Sequence, residues 1–363
     1  MIDASVARAG RYGRAAVRWA RLLAGGKADR RVVVFYGHDR VPAPGERAAG
    51  GTVKIQKLAA RFPNTPVGFS LLYLGTTWLP RDLGPLLALV RRRGIPLVVN
   101  QDGVGYPGWA GARTDEVNRP LRRALLAADH VLYQSEFSKR SADRFLGEPS
   151  GGWEILPNAV DIERFVPAGD PPDDGPVLLL GGDQTQAYRV ELALRTLRVL
   201  HSTHPDARLL VTGRVVVDPA PLIAELGLRA HVELLGEYDQ HDAPSVLRRA
   251  HVLLHTKMQD PCPTLVLEAM ACGLPIAYAA SGGTVELVGD AAGVGVPHLA
   301  TWEREVPPDP EAMAEAVDRV LGDLRTYSAA ARARAVGRFA LTDWLERHTA
   351  LFTELVQGDG APR

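Results

Sequence analysis

The chain has 363 residues, 46% of them hydrophobic and 23% charged, which is the balance of a globular protein with room for two domains. Its 42 basic and 42 acidic residues cancel, which argues against a nucleic-acid-binding protein that relies on a broad basic surface. Two cysteines, Cys262 and Cys272, are too few for a disulfide framework or a zinc site, and no long apolar stretch appears. We therefore expect a soluble, cytoplasmic protein.

Arginines recur near the amino terminus at spacings of three and four, which predicts one stripe along a helix. One interpretation is weak peripheral contact with the inner face of a membrane, and the other is a solvated helix face. The apolar side is mostly alanine, a poor membrane anchor, which favours the solvated face. The stripe consists of Arg8, Arg11, Arg14, Arg18 and Arg21.

Short apolar runs then alternate with helical patterns through the first part of the chain. Strands are predicted at 31–37, 69–75, 95–101, 130–135 and 153–158. Helices are predicted between them, near 51–62, 82–93, 117–128 and 137–146.

The alternation restarts after residue 170, beyond a Pro-, Gly- and Asp-rich segment at 166–176 that is typical of an interdomain linker. Further strands are predicted at 176–182, 207–213, 232–236 and 251–256, with helices ending near 203 and lying near 219–227 and 243–249. Continuous Leu- and Val-rich runs separated by helices indicate parallel sheets covered on both faces. We therefore predict an α/β fold with two doubly wound domains and a cleft between them.

Two carboxylates, Asp260 and Glu268, flank a proline-broken turn after the strand at 251–256. The turn lies at the carboxyl ends of the strands, where parallel sheets bind ligands. A helix is predicted to open at Glu268, and an acidic residue at that place is also favoured by the helix dipole. Spacing alone therefore leaves capping and ligand binding open. A second turn into a helix follows at Gly282, Gly283 and Glu286.

Segment 258–293 resembles the signature of retaining glycosyltransferases with the GT-B fold, specifically glycosyltransferase family 4. The shared features are two acidic residues that flank seven others, the helix "EAMACGLP" and the turn "SGGTVELVG". Asp260 replaces the usual glutamate, in a D-x-C-P variant. Segments 135–167, 49–51 and 339–356 resemble the end of the family's first domain, its glycine loop and its closing helices.

The resemblance implies two Rossmann-like domains, an acceptor-binding domain at 1–166 and a nucleotide-sugar-binding domain at 167–338, with a helix at 339–363 that returns to the first. Glu268 would bind the ribose, Asp260 the hydroxyls of the transferred sugar, and the helix opening at 265–268 the diphosphate. The implied donor-binding residues are Gly182, Gly213, Arg214, Gly236, Cys262, Pro263, Thr264, Leu265 and Glu268. Acceptor-binding candidates are Gly50, Gly51, Gln101, Asp102, Tyr106 and Trp109, the last two either stacking on a sugar or packing the loop.

The sequence departs from the family at its phosphate clamp, an arginine and a lysine after the first strand of the second domain. Asp183 and Tyr188 stand at those positions. Arg189, Arg214 or Lys257 would have to replace them, or each is an ordinary surface charge. The candidate catalytic residues are accordingly Asp260, Glu268, Arg189 and Lys257.

The expected reaction is retaining transfer of a hexose from a UDP- or GDP-linked sugar to a hydroxyl of a saccharide, lipid-linked saccharide or natural product. No metal is expected, because no Asp-x-Asp motif follows a strand. No cofactor is expected besides the nucleotide-sugar, which is a substrate, and no nucleic acid is an expected partner. Two alternatives stay open: another GT-B enzyme, such as a sugar-nucleotide epimerase or a phosphorylase, and a catalytically silent transferase-like binding protein.

Overall fold

In the computed structural model, the described residues are 17–26, 30–43, 45, 46, 48, 50–167, 169 and 175–358. They form two parallel sheets that follow one another along the chain. The first sheet has the order β1-β2-β3-β4-β5. Its strands are β1 (Val34–Phe35), β2 (Leu71–Gly75), β3 (Leu97–Gln101), β4 (His130–Tyr133) and β5 (Gly152–Ile155).

Helices cover both faces of this sheet, as its buried strands β1 to β4 require. They are α1 (17–24), α2 (Thr52–Arg61), α3 (Leu83–Arg93), α4 (Pro107–Ala110), α5 (Thr114–Ala127) and α6 (Glu136–Phe145). Short 3₁₀ turns lie at Thr76–Trp78 and Gly111–Arg113.

The second sheet has the order β11-β10-β9-β6-β7-β8, so the direction of winding reverses between β6 and β9. Ligands of such sheets bind at this switch point, beyond the carboxyl ends of the strands. The strands are β6 (Val177–Leu180), β7 (Arg208–Thr212), β8 (Val232–Gly236), β9 (Val252–His255), β10 (Ile276–Ala279) and β11 (Gly293–Val296). The helices are α7 (Ala187–Leu200), α8 (Ala220–Glu225), α9 (Ala243–Leu247), α10 (Thr264–Ala271), α11 (Thr284–Val288), α12 (Pro310–Gly322) and α13 (Leu324–Arg338).

The last helix, α14 (Leu341–Gln357), returns to the first domain. Its Trp344 and Phe352 are buried in one core with Tyr36, which follows β1, and Tyr73 of β2. The His348 ring nitrogen lies 3.3 Å from the Tyr73 hydroxyl, which adds a polar contact inside that core. The predicted fold class, two doubly wound domains with a returning carboxyl-terminal helix, is confirmed.

Two local predictions are wrong. The strand predicted at 31–37 is only two residues long, Val34–Phe35. The Ser70 hydroxyl accepts from the Val33 backbone nitrogen at 2.9 Å and donates to the Arg31 carbonyl. These two backbone groups are therefore not available to the hydrogen bonds of the sheet. The helix predicted to open at Glu268 begins at Thr264 instead. Glu268 is therefore in mid-helix, and a capping role is excluded.

Only part of the predicted arginine stripe falls within the described residues, since Arg8, Arg11 and Arg14 lie outside them. Arg18 donates to the Gly37 carbonyl at 2.7 Å and lies 3.3 Å from Asp82, so it packs against the first domain instead of facing solvent. Arg21 is exposed. No helix of the described ranges combines the length and apolar character needed to cross a bilayer.

Candidate active site

The candidate site lies at the switch point of the second sheet, where the loops after β6 and β9 emerge side by side. The loop after β9, residues 256–263, is nearly all buried. It contacts the first domain, because the Ser135 hydroxyl donates to the Pro261 carbonyl at 2.7 Å. Residues on both sides of the cleft therefore meet at this loop.

A glycine turn fixes the backbone of Asp260. The Gly283 nitrogen donates to the Asp260 carbonyl at 2.8 Å. A Cβ at Gly282 would lie 2.5 Å from the same oxygen, and a Cβ at Gly283 2.0 Å from the Pro261 carbonyl. Both positions therefore need glycine, which gives the "GG" of the sequence motif a physical reason. Gln259, just before Asp260, adopts a positive φ of 51°.

The Asp260 carboxylate is ionised although it is 9% exposed. Burial alone would raise its pKa, but the positive charges of Lys257, at 2.8 Å, and of Arg189 hold the pKa below its ordinary value. Burial lowers the pKa of His255 to about 3, so this ring is neutral at physiological pH. Asp260 can thus accept strong hydrogen bonds from sugar hydroxyls.

The loop after β6 and the first turn of α7 carry the substituted clamp positions, Asp183 and Tyr188. The Tyr188 hydroxyl accepts from the Met258 nitrogen at 3.2 Å and so ties this loop to the loop of Asp260. The Arg189 guanidinium is buried and donates to the carbonyls of Asp183 at 2.6 Å and Gly181 at 3.3 Å. Arg189 therefore holds the loop together, which differs from the free surface cation that the sequence interpretation considered.

Arg214 also faces a partner within the protein. Its guanidinium lies 3.7 Å from the Asp183 carboxylate, and both side chains are largely exposed. The Asp183 carboxylate additionally accepts from the Arg214 backbone nitrogen at 3.0 Å. The acidic side chain at the clamp's arginine position thus pairs with the exposed Arg214.

Glu268 lies on α10 with its side chain partly buried. Burial raises its pKa, and the positive charges of Lys57 and Arg164 act in the opposite direction. Burial also raises the pKa of the nearby Tyr238 to about 12, with the Glu268 charge adding to the effect. A carboxylate in these surroundings gains from hydrogen-bond donors that a ligand brings.

The other donor-binding candidates lie around the same rim. Gly182 and Gly213 follow β6 and β7, and Gly236 ends β8. All three have positive φ, and the Gly213 nitrogen donates to the Gly236 carbonyl at 2.7 Å. Leu265 packs so closely on Gly181 that a Cβ there would lie 2.4 Å away. Cys262 and Pro263 are buried in front of α10, which begins at Thr264.

The acceptor candidates of the first domain meet in a buried polar cluster. Asp102 pairs with Lys54 and accepts from the Thr77 backbone nitrogen at 3.0 Å and hydroxyl at 2.8 Å. A Cβ at Gly51 would lie 1.8 Å from the Thr77 hydroxyl oxygen, so the glycine loop packs directly on this cluster. Gly50 precedes it with a φ of 54°. Asp102 is thus a structural anchor of the loop.

The remaining acceptor candidates lie along residues 101–109. Gln101 is buried and donates to the Gly103 carbonyl at 2.9 Å. The Tyr106 ring packs edge-on against Trp302, and its hydroxyl donates to Glu305 at 3.2 Å, so Tyr106 is part of the interdomain contact. Trp109, in contrast, is 54% exposed and available to a ligand.

Three residues of this polar cluster were not predicted from the sequence. Lys54 and Gln134 bind the Asp102 carboxylate, and Asn158 connects this cluster to the second domain by donating to the Cys262 carbonyl at 2.9 Å. A lysine one turn into the helix after the glycine loop was the available signal for Lys54. Nothing local marks the other two, since their partners lie far away in sequence.

The fold is that of the GT-B glycosyltransferases, and the second half of the chain is also similar to glycosyltransferases in sequence. Residues 161–335, which include Asp260 and Glu268, match the family model of the glycosyl transferases group 1. Among solved structures, sucrose-phosphate synthase from Thermosynechococcus elongatus has the same fold, with a TM-score of 0.65 and 19% identity over 90% of this chain and 99% of its own. The HepE protein of Anabaena, solved with UDP, gives a TM-score of 0.62 and 18% identity over 83% and 81% of the two chains.

Curated relatives extend the comparison. An exopolysaccharide phosphotransferase of Streptomyces coelicolor is 30% identical over 251 residues, 67% of this chain. A GDP-mannose-dependent alpha-(1-6)-phosphatidylinositol monomannoside mannosyltransferase of Mycolicibacterium smegmatis is 28% identical over 300 residues, 76% of this chain. The chain spans 25% of the length of the first relative and 73% of the second.

Proposed function

We propose that the protein transfers a hexose, with retention of anomeric configuration, from a nucleotide-sugar to a hydroxyl acceptor. The observation that carries this proposal is the buried, ionised Asp260 carboxylate in front of α10, on a loop that contacts the first domain through Ser135. Asp260 binds hydroxyls of the transferred sugar, and Glu268, eight residues further along, binds the ribose. The donor site and the acceptor domain therefore face each other across this loop.

In the proposed reaction, the bond between the anomeric carbon and the leaving phosphate oxygen breaks, and the acceptor oxygen bonds to the anomeric carbon on the same face. The acceptor proton passes to the departing diphosphate, so the protein need not provide a base. The chain supplies position and electrostatic stabilisation. Neutral His255 next to Asp260 suits this role, since it adds no charge at the reacting centre.

We assign the donor to the GDP- or UDP-linked sugars and the acceptor to saccharides, lipid-linked saccharides or natural products. Support comes from the mycobacterial relative, which is named for GDP-mannose and a lipid-linked saccharide, and from the related fold solved with UDP. A nucleotide-sugar donor also favours a cytoplasmic location, and a lipid-linked acceptor would place the protein at the inner face of the membrane.

A second candidate, a transferase-like protein that binds its ligand without turnover, is favoured by one observation. The clamp positions carry Asp183 and Tyr188, and Arg189 is bound to backbone carbonyls. A diphosphate leaving group needs compensating positive charge, and the loss of one preorganised donor typically costs about 2.7–4 kcal/mol in the transition state.

Nucleotide release distinguishes these functions. Purified protein is incubated with GDP- and UDP-sugars, with and without saccharide and lipid-linked acceptors, and the anomeric configuration of any product is read by NMR. We expect acceptor-dependent release of nucleotide and a product with retained configuration. Asp260→Asn should abolish this release. A parent protein that binds donor but never releases nucleotide is the silent binding protein, and an inverted product contradicts the retaining mechanism.

A further inference from the structure

The second domain leaves the donor diphosphate short of positive charge. Among its described side chains near the switch point, Arg189 is bound to carbonyls, Arg214 lies beside Asp183, and Lys257 pairs with Asp260. Arg214 and Lys257 are thus paired with carboxylates of their own domain, and the Arg189 side chain is turned to the backbone carbonyls of the β6 loop. Additional charge for the diphosphate therefore has to come from another part of the chain.

Lys57 of the first domain reaches the same region. Its ammonium donates to the Ala159 carbonyl at 2.8 Å. The neighbouring Asn158 donates to the Cys262 carbonyl at 2.9 Å and to its sulfur at 3.3 Å. Cys262 immediately precedes Pro263, the N-cap residue of α10. Through this pair of consecutive residues, Lys57 is connected to the amino-terminal end of α10, where the sequence resemblance implies that the diphosphate binds.

The surroundings of Lys57 suit a cation that gains from binding an anionic ligand. Burial lowers its pKa, with Glu268 the foremost charge that counteracts the change. An ammonium has three N–H donors, and one is given to Ala159 within the described residues. Lys54, one turn earlier on α2, does not share this role, because it is bound to Asp102 and Asn100.

We propose that Lys57 supplies the missing phosphate clamp from the first domain and binds the diphosphate of the nucleotide-sugar across the cleft. This inference rests on the proposed function, since it presumes that a nucleotide-sugar occupies the site. Contact between the two domains is then required for the reaction, because the Lys57 charge lies next to the leaving diphosphate only when the domains are together.

The test compares ligands that differ only in their phosphates. Calorimetry measures binding of GDP, UDP, guanosine and uridine to the parent, Lys57→Met, Lys57→Arg and Glu268→Gln. We expect Lys57→Met to weaken nucleoside diphosphate binding at least about tenfold and to leave nucleoside binding unchanged, because a charge-assisted hydrogen bond to phosphate is lost. Lys57→Arg should retain most of the affinity, whereas Glu268→Gln should weaken nucleosides and diphosphates alike.

The matched control is Lys139→Met, which removes a lysine of the same domain that lies 2.5 Å from Asp143 and over the Trp153 ring. This variant should bind every ligand like the parent. If Lys57→Met binds diphosphates like the parent, or weakens nucleosides equally, Lys57 only compensates Glu268 and the inference is overturned. If the parent binds no nucleoside diphosphate at all, the proposed function fails together with it.

Discussion

Glu286 Oε1 in the second domain lies 2.8 Å from the backbone nitrogen of Phe137 in the first domain, and its Oε2 lies 2.7 Å from that of Glu136. These nitrogens belong to the first turn of α6, where backbone N–H groups have no acceptor within the helix. A carboxylate there is also favoured by the helix dipole. One domain thus caps a helix of the other, next to the Ser135–Pro261 contact that reaches the loop of Asp260.

We predict that Glu286→Gln opens the cleft. The amide keeps one acceptor, but its NH2 group faces a second backbone N–H, so about 1 kcal/mol of interdomain contact should be lost. Small-angle scattering should show a larger radius of gyration in the absence of ligand, and kcat/KM should fall about fivefold. Glu311→Gln is the control, because Glu311 lies in the first turn of its own helix and is exposed. Equal radii for all three proteins would contradict the capping role.

Arg189→Met should destabilise the protein, contrary to the nearly unchanged melting temperature that a surface cation would give. Removal of the guanidinium leaves the carbonyls of Asp183 and Gly181 without their donor, at a cost of about 1–3 kcal/mol. Arg214→Met removes an exposed charge and should change stability by less than about 0.5 kcal/mol. Urea unfolding of both variants measures the difference. Equal midpoints would show that the buried contacts of Arg189 contribute nothing.

Much of the fold could be predicted because buried parallel strands are continuous apolar runs, as in "VLLL" of β6 and "VLLH" of β9. The β11 strand lacks that signal, since it alternates glycine with valine. The position of Asp260 followed from the same pattern, because the end of β9 fixes where its loop emerges.

The direction of individual side chains and the contacts between the domains could not be predicted from apolar runs. Arg189 follows the clamp's lysine position by one residue, yet its helix turns the side chain inward to the β6 loop. Glu286 and Phe137 are 149 residues apart, and only the closed arrangement of the domains brings them together. Local sequence carries no information on contacts of this range.

Lys257→Met should change how activity depends on pH. In the parent, the pKa of Asp260 is lowered despite burial, chiefly by Lys257, so the carboxylate stays ionised until the pH falls below its ordinary range. Without Lys257 the pKa of Asp260 rises, and the acid limb of the kcat/KM profile should move up by about one pH unit. Arg214→Met, which removes a charge paired with Asp183, should leave the limb in place. An acid limb shared by parent and Lys257→Met would show that Asp260 does not govern it.

Glu268→Gln should stabilise the ligand-free protein while it weakens donor binding. Burial raises the pKa of Glu268 above its unfolded value, so the native state binds the proton more tightly, and stability falls as the pH rises through the window between the two values. Above that window the ionised side chain is a cost that glutamine removes. The melting temperature of the variant should therefore exceed that of the parent at pH 7.5, and the difference should shrink toward pH 4.

Donor affinity should move in the opposite direction. The neutral amide loses charge-assisted hydrogen bonds to the ribose hydroxyls, worth about 1.5–3 kcal/mol, so nucleotide-sugar binding should weaken at least about tenfold. Calorimetry at pH 7.5 measures this affinity on the same samples as the melting curves. Glu286→Gln is the contrasting variant in the melting experiment, because its carboxylate caps a helix and loss of that charge should lower the melting temperature. A Glu268→Gln protein that melts below the parent at pH 7.5 would show that Glu268 stabilises the fold. Equal donor affinity of the two proteins would show that another residue binds the ribose.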